Sequence, residues 1–426
     1  MRMKVLWITN IMFPDICKNL GIVPPVTGGW MKSLAKNLLN LYSNDIELGV
    51  ACLCNKVDDL YEKKINGVDY YCLPFSPDQY TYNPKIEKYW IKIQQQFNPD
   101  VVHIHGTEFA HGLAYMKVCG CDHVVISIQG LVKAYARYSL GSIPERSLRK
   151  KRTLYDFLRG HILSLPDSME KQGMLEVEFL KMAKHVIGRT DWDKMHTWAI
   201  NPKANYYVGN ETLRDAFYTK QWNIDNCEKH TLFLSQAAKP IKGIHKLIDA
   251  LPLVAREFPD VKVYVAGYDF TKKCSIKDKL RFGTYANYVL SLTKKNALEG
   301  HIKFLGLLDE EKMVEQYLKA HLFICPSSIE NSPNSLGEAQ LLGVPCISSY
   351  AGGTPDMVQD NITGLLYRFE EHEMLAYKIC ECFRNQNLCK TISRNARMVA
   401  HDRHNGVNNA KCTMDVYKQV INEMKS

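Results

Sequence analysis

The sequence has no apolar stretch long enough to cross a bilayer and no Cys-x-x-Cys motif among its 14 cysteines. Six of its cysteines form i, i+2 pairs, and several lie inside apolar runs, where a thiol behaves as a small hydrophobe. This pattern argues against a disulfide scaffold and favours a reduced compartment. We therefore expect a cytoplasmic protein, with peripheral contact at the cytoplasmic face of the membrane as an open alternative.

The sequence also lacks the strong excess of basic residues that is typical of a nucleic-acid-binding protein. There are 54 basic and 45 acidic residues, a net charge of +9. This excess is mild and suits a phosphate-bearing ligand or an anionic membrane surface. No platform of interleaved aromatic and basic residues and no groove-reading motif is found, so no nucleic-acid partner is predicted.

Strand-like apolar segments alternate with helical patterns in two runs of the chain. Strands are predicted at 3–9, 46–52, 68–73, 101–105, 123–128 and 185–190, and then at 231–235, 261–266, 301–305, 322–325 and 344–348. Helices are predicted at 30–41, 243–258, 275–298, 309–320 and 333–342. Residues 205–229 show no periodicity and link the two runs.

Alternating strands and helices favour parallel sheets with helices on both faces. The fold class is therefore α/β, with two doubly wound Rossmann-like domains facing across a cleft. Ligands are expected at the carboxyl ends of the strands. The predicted domains are 1–208, 209–405, and a C-terminal helix at 406–426 that returns toward the first domain.

One segment, 131–170, departs from the alternation. It concentrates basic residues at 146 and 149–152 around Leu148 and Leu154, followed by Phe157 and Leu158. This pattern predicts a basic amphipathic helix. A solvated helix face and a membrane-docking or acceptor-docking surface are both left open.

The most informative segment is 325–348. After a predicted strand, Ser332 can cap a helix whose first residue is Pro333. The amides of Asn334, Ser335 and Leu336 would then be free, and with the helix dipole they suit a diphosphate. Glu330 lies before this helix and Glu338 lies inside it, and carboxylates accept hydrogen bonds from vicinal hydroxyls.

The segment 349–358 shows the same pattern, in which a predicted strand end is followed by a capped helix start. Two glycines form a turn, Thr354 is a predicted cap, and Pro355 takes the first helical position. Two helix starts from adjacent strands would then converge on one anion site.

These residues resemble the retaining glycosyltransferases of family 4, which have the GT-B fold. The resemblance rests on two glutamates eight positions apart, Glu330 and Glu338, and on the Gly352-Gly353 turn that follows. It implies that Glu330 contacts the transferred sugar and that Glu338 holds the ribose of the nucleotide. It also implies that the amides at 334–336 and Gly353 meet the donor.

The same resemblance extends to 235–243 and to two further strand ends. Lys242 matches a lysine that stabilises the departing diphosphate, whereas Gln236 stands where the family has an arginine. Lys239 could compensate for that lost charge. Gly267 and Leu307 follow predicted strands where the family binds the nucleobase through backbone groups.

In the N-terminal half the candidates are fewer. Gly28 and Gly29 match the family's glycine-rich loop, which lets the backbone approach a phosphate. His105 ends a predicted strand and is expected to face the acceptor. Gln129 stands where many relatives have a histidine near the reacting sugar. His103 and His105 share a strand face, but no third ligand is near, so no metal is predicted.

The resemblance implies a retaining transferase without a cofactor. A nucleoside-diphosphate sugar would be the donor, and a saccharide or lipid-linked saccharide would be the acceptor. Surface polysaccharide synthesis, with contact at the inner membrane, is the expected setting. A GT-B epimerase or phosphorylase and a catalytically silent nucleotide-sugar-binding subunit remain as alternatives, the last because of Gln236 and Gln129.

Overall fold

The computed structural model describes residues 2–25, 28–74, 80–153, 155–156, 160–272 and 282–425. The strands are β1 (Met3–Thr9), β2 (Ile46–Cys54), β3 (Tyr61–Ile65), β4 (Val68–Pro74), β5 (Val101–His105), β6 (Val124–Ser127), β7 (His185–Gly188), β8 (Asn205–Val208), β9 (Glu228–Leu234), β10 (Lys262–Val265), β11 (Ile302–Phe304), β12 (Ala320–Cys325), β13 (Cys346–Ser349) and β14 (Leu365–Tyr367).

The helices are α1 (Pro14–Asn19), α2 (Gly29–Tyr42), α3 (Glu87–Phe97), α4 (Ala110–Cys119), α5 (Val132–Ala136), α6 (Glu145–Arg149), α7 (Leu165–Met182), α8 (Asp191–Ile200), α9 (Ala216–Thr219), α10 (Ile244–Glu257), α11 (Thr284–Lys295), α12 (Glu310–Lys319), α13 (Asn334–Leu342), α14 (His372–Arg384), α15 (Gln386–Arg403) and α16 (Gly406–Lys425). Short 3-10 turns lie at Pro84–Ile86, Ile162–Ser164, Pro240–Lys242 and Thr354–Asp356. No helix among the described residues is long and apolar enough to cross a membrane.

The chain forms two compact units. Unit 1 comprises residues 1–134, 169–213 and 404–426, and unit 2 comprises residues 135–168 and 214–403. The predicted boundaries at 208 and 405 differ from these by a few residues, and the segment 135–168, predicted in the first domain, packs with unit 2. Its contacts there explain the difference, because His245 Nε2 bonds the carbonyl of Gly141 at 2.8 Å and Asn287 Nδ2 donates to that of Lys151 at 3.0 Å.

Unit 1 contains an eight-stranded sheet in the order β3-β4-β2-β1-β5-β6-β7-β8. All pairs are parallel except β3 with β4. One face buries apolar side chains of α2 and α16, and the other packs against α3, α4 and α7. Tyr417 of α16 ties the C-terminal helix to the sheet, because its hydroxyl accepts from Trp7 Nε1 at 2.9 Å.

Unit 2 contains a six-stranded, wholly parallel sheet in the order β11-β10-β9-β12-β13-β14. Its central strand β12 is buried at every position, as a strand covered on both faces must be. The predicted α/β class with two Rossmann-like domains is confirmed.

Three local predictions were wrong or lie partly outside the described residues. The 205–229 link contains β8 and α9, whose short lengths gave no periodicity. The single basic helix at 131–170 is replaced by short helices, because Gly141 and Ser142 both adopt left-handed backbone angles (φ 60° and 55°). Leu154, Phe157 and Leu158 lie outside the described residues, as does the start of the helix predicted at 275–298.

Candidate active site

The candidate residues of unit 2 all follow the carboxyl ends of strands. Lys242 follows β9, Gly267 follows β10, Leu307 follows β11, Glu330 follows β12 and Gly353 follows β13. Because these strands run parallel, their loops emerge at one edge of the sheet. The sequence prediction that these residues share an edge therefore has its structural basis in the topology of this sheet.

Lys242 and Glu330 form a partly buried ion pair at this edge. Lys242 Nζ lies 2.6 Å from Glu330 Oε1, and the Ser327 hydroxyl donates to the same oxygen at 2.7 Å. Burial acts to lower the pKa of Lys242, but the charge of Glu330 and the hydrogen bond outweigh it and raise that pKa. Lys242 is thus a charged ammonium already paired with a carboxylate, rather than a free cation.

A glycine turn fixes Lys242 in this position. Gly243 follows it with φ 70°, and a Cβ atom added there would lie 1.6 Å from the Pro326 carbonyl oxygen. The amide of Ser328 also donates to the Ile241 carbonyl at 2.9 Å. Only glycine fits both the backbone angle and this close approach.

The start of helix α13 differs from the prediction by one residue. Pro333, with extended backbone angles, is the N-cap, and Ser332 makes no cap hydrogen bond. The Leu336 amide is not free, because it donates to the Pro333 carbonyl at 3.0 Å. Among the described residues, no backbone hydrogen bond uses the amides of Asn334 and Ser335. Two amides and the helix dipole are therefore available for an anion.

The loop after β13 does not provide a second helix of this kind. Thr354 begins a single 3-10 turn, and its hydroxyl is buried and donates to the Ser349 carbonyl at 2.6 Å. The Gly353 amide donates to the Glu330 carbonyl at 2.9 Å, and a Cβ on Gly352 would lie 2.0 Å from that oxygen. The two glycines therefore support the backbone of Glu330, and the Gly353 amide is not free for a ligand.

Glu338 is held by Arg214, which lies in the segment that links the two runs of the chain. Arg214 Nε and Nη2 donate to Glu338 Oε1 at 2.9 and 2.6 Å. Burial raises the pKa of Glu338 to about 7, while the charge and hydrogen bonds of Arg214 oppose that shift. The partners lie 124 residues apart, so no local pattern could have paired them.

The other residues predicted to contact the nucleotide-sugar donor are more exposed to solvent. Gln236 and Lys239 are exposed. The Gly267 amide donates to the Gly306 carbonyl at 2.8 Å, which joins the loops after β10 and β11. Leu307 is 80% exposed beside this bridge. These backbone groups form the edge at which a nucleobase was predicted.

In unit 1, His105 is buried and makes no hydrogen bond through either ring nitrogen within the described chain. Its ring lies between those of Trp7 and Trp30, at centroid distances of 4.4 and 5.5 Å. Burial, followed by the neighbouring His103, holds the pKa of His105 well below its ordinary value. His105 is therefore neutral at physiological pH and is suited to hydrogen bonding.

His103, by contrast, has both ring nitrogens occupied. They lie 2.7 Å from the Tyr417 hydroxyl and 2.6 Å from the Ser127 hydroxyl. Burial lowers the pKa of His103 to about 3. Among the described residues, no group of three or more His, Cys, Asp or Glu side chains could hold a metal ion.

Gln129 lines a small cavity with His105 at the carboxyl edge of the unit 1 sheet. A buried ion pair, Arg189 Nη1 to Glu211 Oε1 at 2.5 Å, lines the same cavity. Arg189 also donates to the Gln129 carbonyl at 2.7 Å. Arg189 and Glu211 come from separate segments of the chain, so no local pattern predicts this pairing.

Gly28 and Gly29 lie at the start of α2 in the same unit. Gly28 is the N-cap with φ 81°, and a Cβ there would lie 2.7 Å from Ile11 Cδ1. Gly29 is the first helical residue. The left-handed backbone angle of Gly28 is one that glycine adopts readily.

The protein has the GT-B fold, with two α/β units that each contain a largely parallel sheet. In the second unit, a helix with exposed amides at its start lies beside a lysine and two glutamates. Residues 215–399 match the family model described as glycosyl transferases group 1.

Comparisons over longer stretches agree in fold. Sucrose-phosphate synthase from Thermosynechococcus elongatus superposes with a TM-score of 0.70 at 16% identity, covering 99% of this chain and 100% of that one. Anabaena HepE in complex with UDP and glucose gives a TM-score of 0.64 at 16% identity, with 98% and 100% covered. N-acetyl-alpha-D-glucosaminyl L-malate synthase of Bacillus anthracis is 23% identical over 49% of this chain and 50% of its own length. The chain spans about half the length of the curated relatives it matches.

Proposed function

We propose that this protein is a retaining glycosyltransferase that uses a nucleoside-diphosphate sugar. The observation that carries the proposal is the grouping at one sheet edge of unit 2. There Lys242 pairs with Glu330 at 2.6 Å, and Glu330 lies four residues before Asn334, whose amide is free together with that of Ser335. A paired cation and carboxylate beside a helix start suit a sugar joined to a diphosphate.

Each part of the nucleotide-sugar donor is assigned to a set of residues at this edge. The amides of Asn334 and Ser335, with Lys242, bind the diphosphate oxygens and stabilise their developing charge. Glu330 accepts hydrogen bonds from the transferred sugar, and Glu338 accepts them from the ribose. The bridge between Gly267 and Gly306 lies where the base would bind through backbone groups.

Transfer breaks the bond between the anomeric carbon and the diphosphate oxygen and forms one to the acceptor oxygen on the same face. The acceptor proton passes to the departing phosphate. His105 and Gln129 in unit 1 are assigned to acceptor hydroxyls, as hydrogen-bonding groups, because the ring of neutral His105 makes no hydrogen bond to any described residue. A saccharide or lipid-linked saccharide of a surface polysaccharide is the proposed acceptor.

A second candidate is a silent subunit that binds nucleotide sugars without turnover. It is favoured by the exposed, uncharged Gln236 and by the neutralisation of Lys242 by Glu330. Both observations reduce the positive charge available to a leaving diphosphate.

An assay with a panel of nucleoside-diphosphate sugars tests the two functions. A donor that binds the folded state at a hundred times its Kd should stabilise it by about 2.7 kcal/mol and raise its melting temperature. We expect one donor also to be consumed, with the product keeping the donor's anomeric configuration by NMR. Binding without consumption, across saccharide and lipid-linked acceptors, would establish the silent subunit, and no binding would contradict both.

We also propose a peripheral contact with the anionic inner membrane surface. Arg146, Arg149, Lys150 and Arg152 are exposed, while Leu148 between them is fully buried. Each cation near such a surface contributes about 1 kcal/mol. The chain should sediment with vesicles of anionic phospholipid but not with neutral ones, and replacing these four residues by glutamine should abolish that binding. Equal sedimentation of the variant would contradict the contact.

A further inference from the structure

Arg214 occupies one oxygen of Glu338 and leaves the other available. Its Nε and Nη2 atoms both donate to Oε1, and no hydrogen bond from the described residues reaches Oε2. The Glu338 side chain is 8% exposed and that of Arg214 is 23% exposed. The contact therefore sets the orientation of the carboxylate within a largely dry environment.

The guanidinium is itself fixed by the residues that support α13. It lies over the Phe217 ring at 4.6 Å, and Phe217 is fully buried against Tyr317, with ring centroids 5.9 Å apart. The Tyr317 hydroxyl donates to the Ser335 carbonyl in the first turn of α13 at 2.8 Å. Arg214 and the anion-binding start of α13 thus share one rigid support.

The surroundings of Glu338 determine how strongly the charge of Arg214 affects its protonation. The titratable or charged groups facing it are Arg214, Glu310 at the start of α12 and Tyr317 within α12. Burial raises the pKa of Glu338 to about 7, Arg214 opposes the shift and Glu310 adds to it. Without Arg214 the carboxyl would be protonated over more of the neutral range and would accept hydrogen bonds less well.

We infer that Arg214 is a positioning residue for donor binding, which turns Glu338 so that its Oε2 meets the vicinal hydroxyls of the donor's ribose. This inference rests on the proposed function, since it requires Glu338 to bind the ribose. Arg214 lies one residue before the part of the chain that matches the family model. The role is therefore assigned from the contacts of this chain.

The test compares Arg214→Gln, Arg214→Lys and Glu338→Gln with the wild type, using calorimetric titration of nucleoside diphosphate and donor kinetics from pH 6 to 9. Arg214→Gln should raise the donor KM and the nucleoside-diphosphate Kd about tenfold near pH 7 while changing kcat little, because a charge-assisted contact to the ground state is lost. The loss should shrink toward pH 9, where Glu338 ionises without help. Arg214→Lys should recover part of the affinity.

Arg384→Gln is the matched control, because Arg384 makes an exposed ion pair with Glu257 at 2.9 Å in the same unit. It should leave the donor KM unchanged. Should Arg214→Gln fail to fold, Arg214→Lys carries the test, since it keeps the charge but lacks the two-nitrogen contact.

The outcomes separate the inference from the function on which it rests. Wild-type affinity in Glu338→Gln would remove the ribose assignment itself. A second outcome is that Glu338→Gln loses affinity for the nucleoside diphosphate while the folded Arg214 variant keeps normal affinity and a normal pH profile. That outcome would overturn the role of Arg214 alone. In the double variant, Arg214→Gln should add nothing to the loss from Glu338→Gln, and a full additive loss would also overturn it.

Discussion

Replacing Lys242 by methionine is expected to reduce glycosyl transfer at least about a hundredfold, the usual cost of removing one preorganised charge-stabilising group. The same change should destabilise the fold, because Glu330, 8% exposed, would lose its cation and remain buried. Breaking a buried pair from one side typically costs roughly 3 kcal/mol or more. Turnover in the assay above and urea unfolding measure the two effects separately.

A double variant distinguishes catalysis from stability. Lys242→Met combined with Glu330→Gln leaves no unpaired buried charge, so its urea midpoint should return toward the wild-type value while transfer stays absent. Lys262→Met is the control, since Lys262 pairs with Glu228 at 3.3 Å on an exposed surface and should change stability by less than about 1 kcal/mol. Near-normal turnover in folded Lys242→Met would contradict the assignment of Lys242.

Substitution of Gly243 by alanine should cost the most stability of any single methyl added near the site. A left-handed backbone costs an alanine roughly 1–2 kcal/mol. The new Cβ would also lie 1.6 Å from the Pro326 carbonyl oxygen, and backbone cannot yield as a flexible side chain can. We expect a total loss of about 3 kcal/mol or more in urea unfolding, with loss of transfer because the turn holds Lys242.

Gly306→Ala separates strain from steric overlap. Gly306 has a similar φ of 78°, but a Cβ there would meet nothing within 4 Å. Gly306→Ala should lower the free energy of unfolding only by the backbone strain, about 1–2 kcal/mol. Equal losses in the two variants would show that the packing of the Gly243 turn is not what the distances indicate.

The bounds of some strands were predictable from the sequence. The observed bounds of β1 and β5 coincide with the predicted ones, because Asn10 follows β1, Asp100 precedes β5 and Gly106 follows it. Helix α13 was found through its proline and apolar pattern, but its cap was misplaced by one residue. Ser332 does not cap it, since its hydroxyl contacts Met357 and Arg403 instead.

The pairings within the site could not be predicted, because they join distant parts of the chain. Lys242 and Glu330 are 88 residues apart, and Arg214 and Glu338 are 124 apart. Each residue carried a local signal: a position after a strand, a turn or a link. Only the parallel order of the strands brings those positions to one edge. The sequence therefore indicated which residues to consider, and the topology determines which of them neutralise each other.

The most direct test is a crystal structure of the chain with a bound nucleoside diphosphate. We expect diphosphate oxygens within hydrogen-bond distance of the Asn334 and Ser335 amides and ribose hydroxyls within hydrogen-bond distance of Glu338. Electron density for the nucleotide at any other surface, or with its phosphates turned away from the first turn of α13, would contradict it.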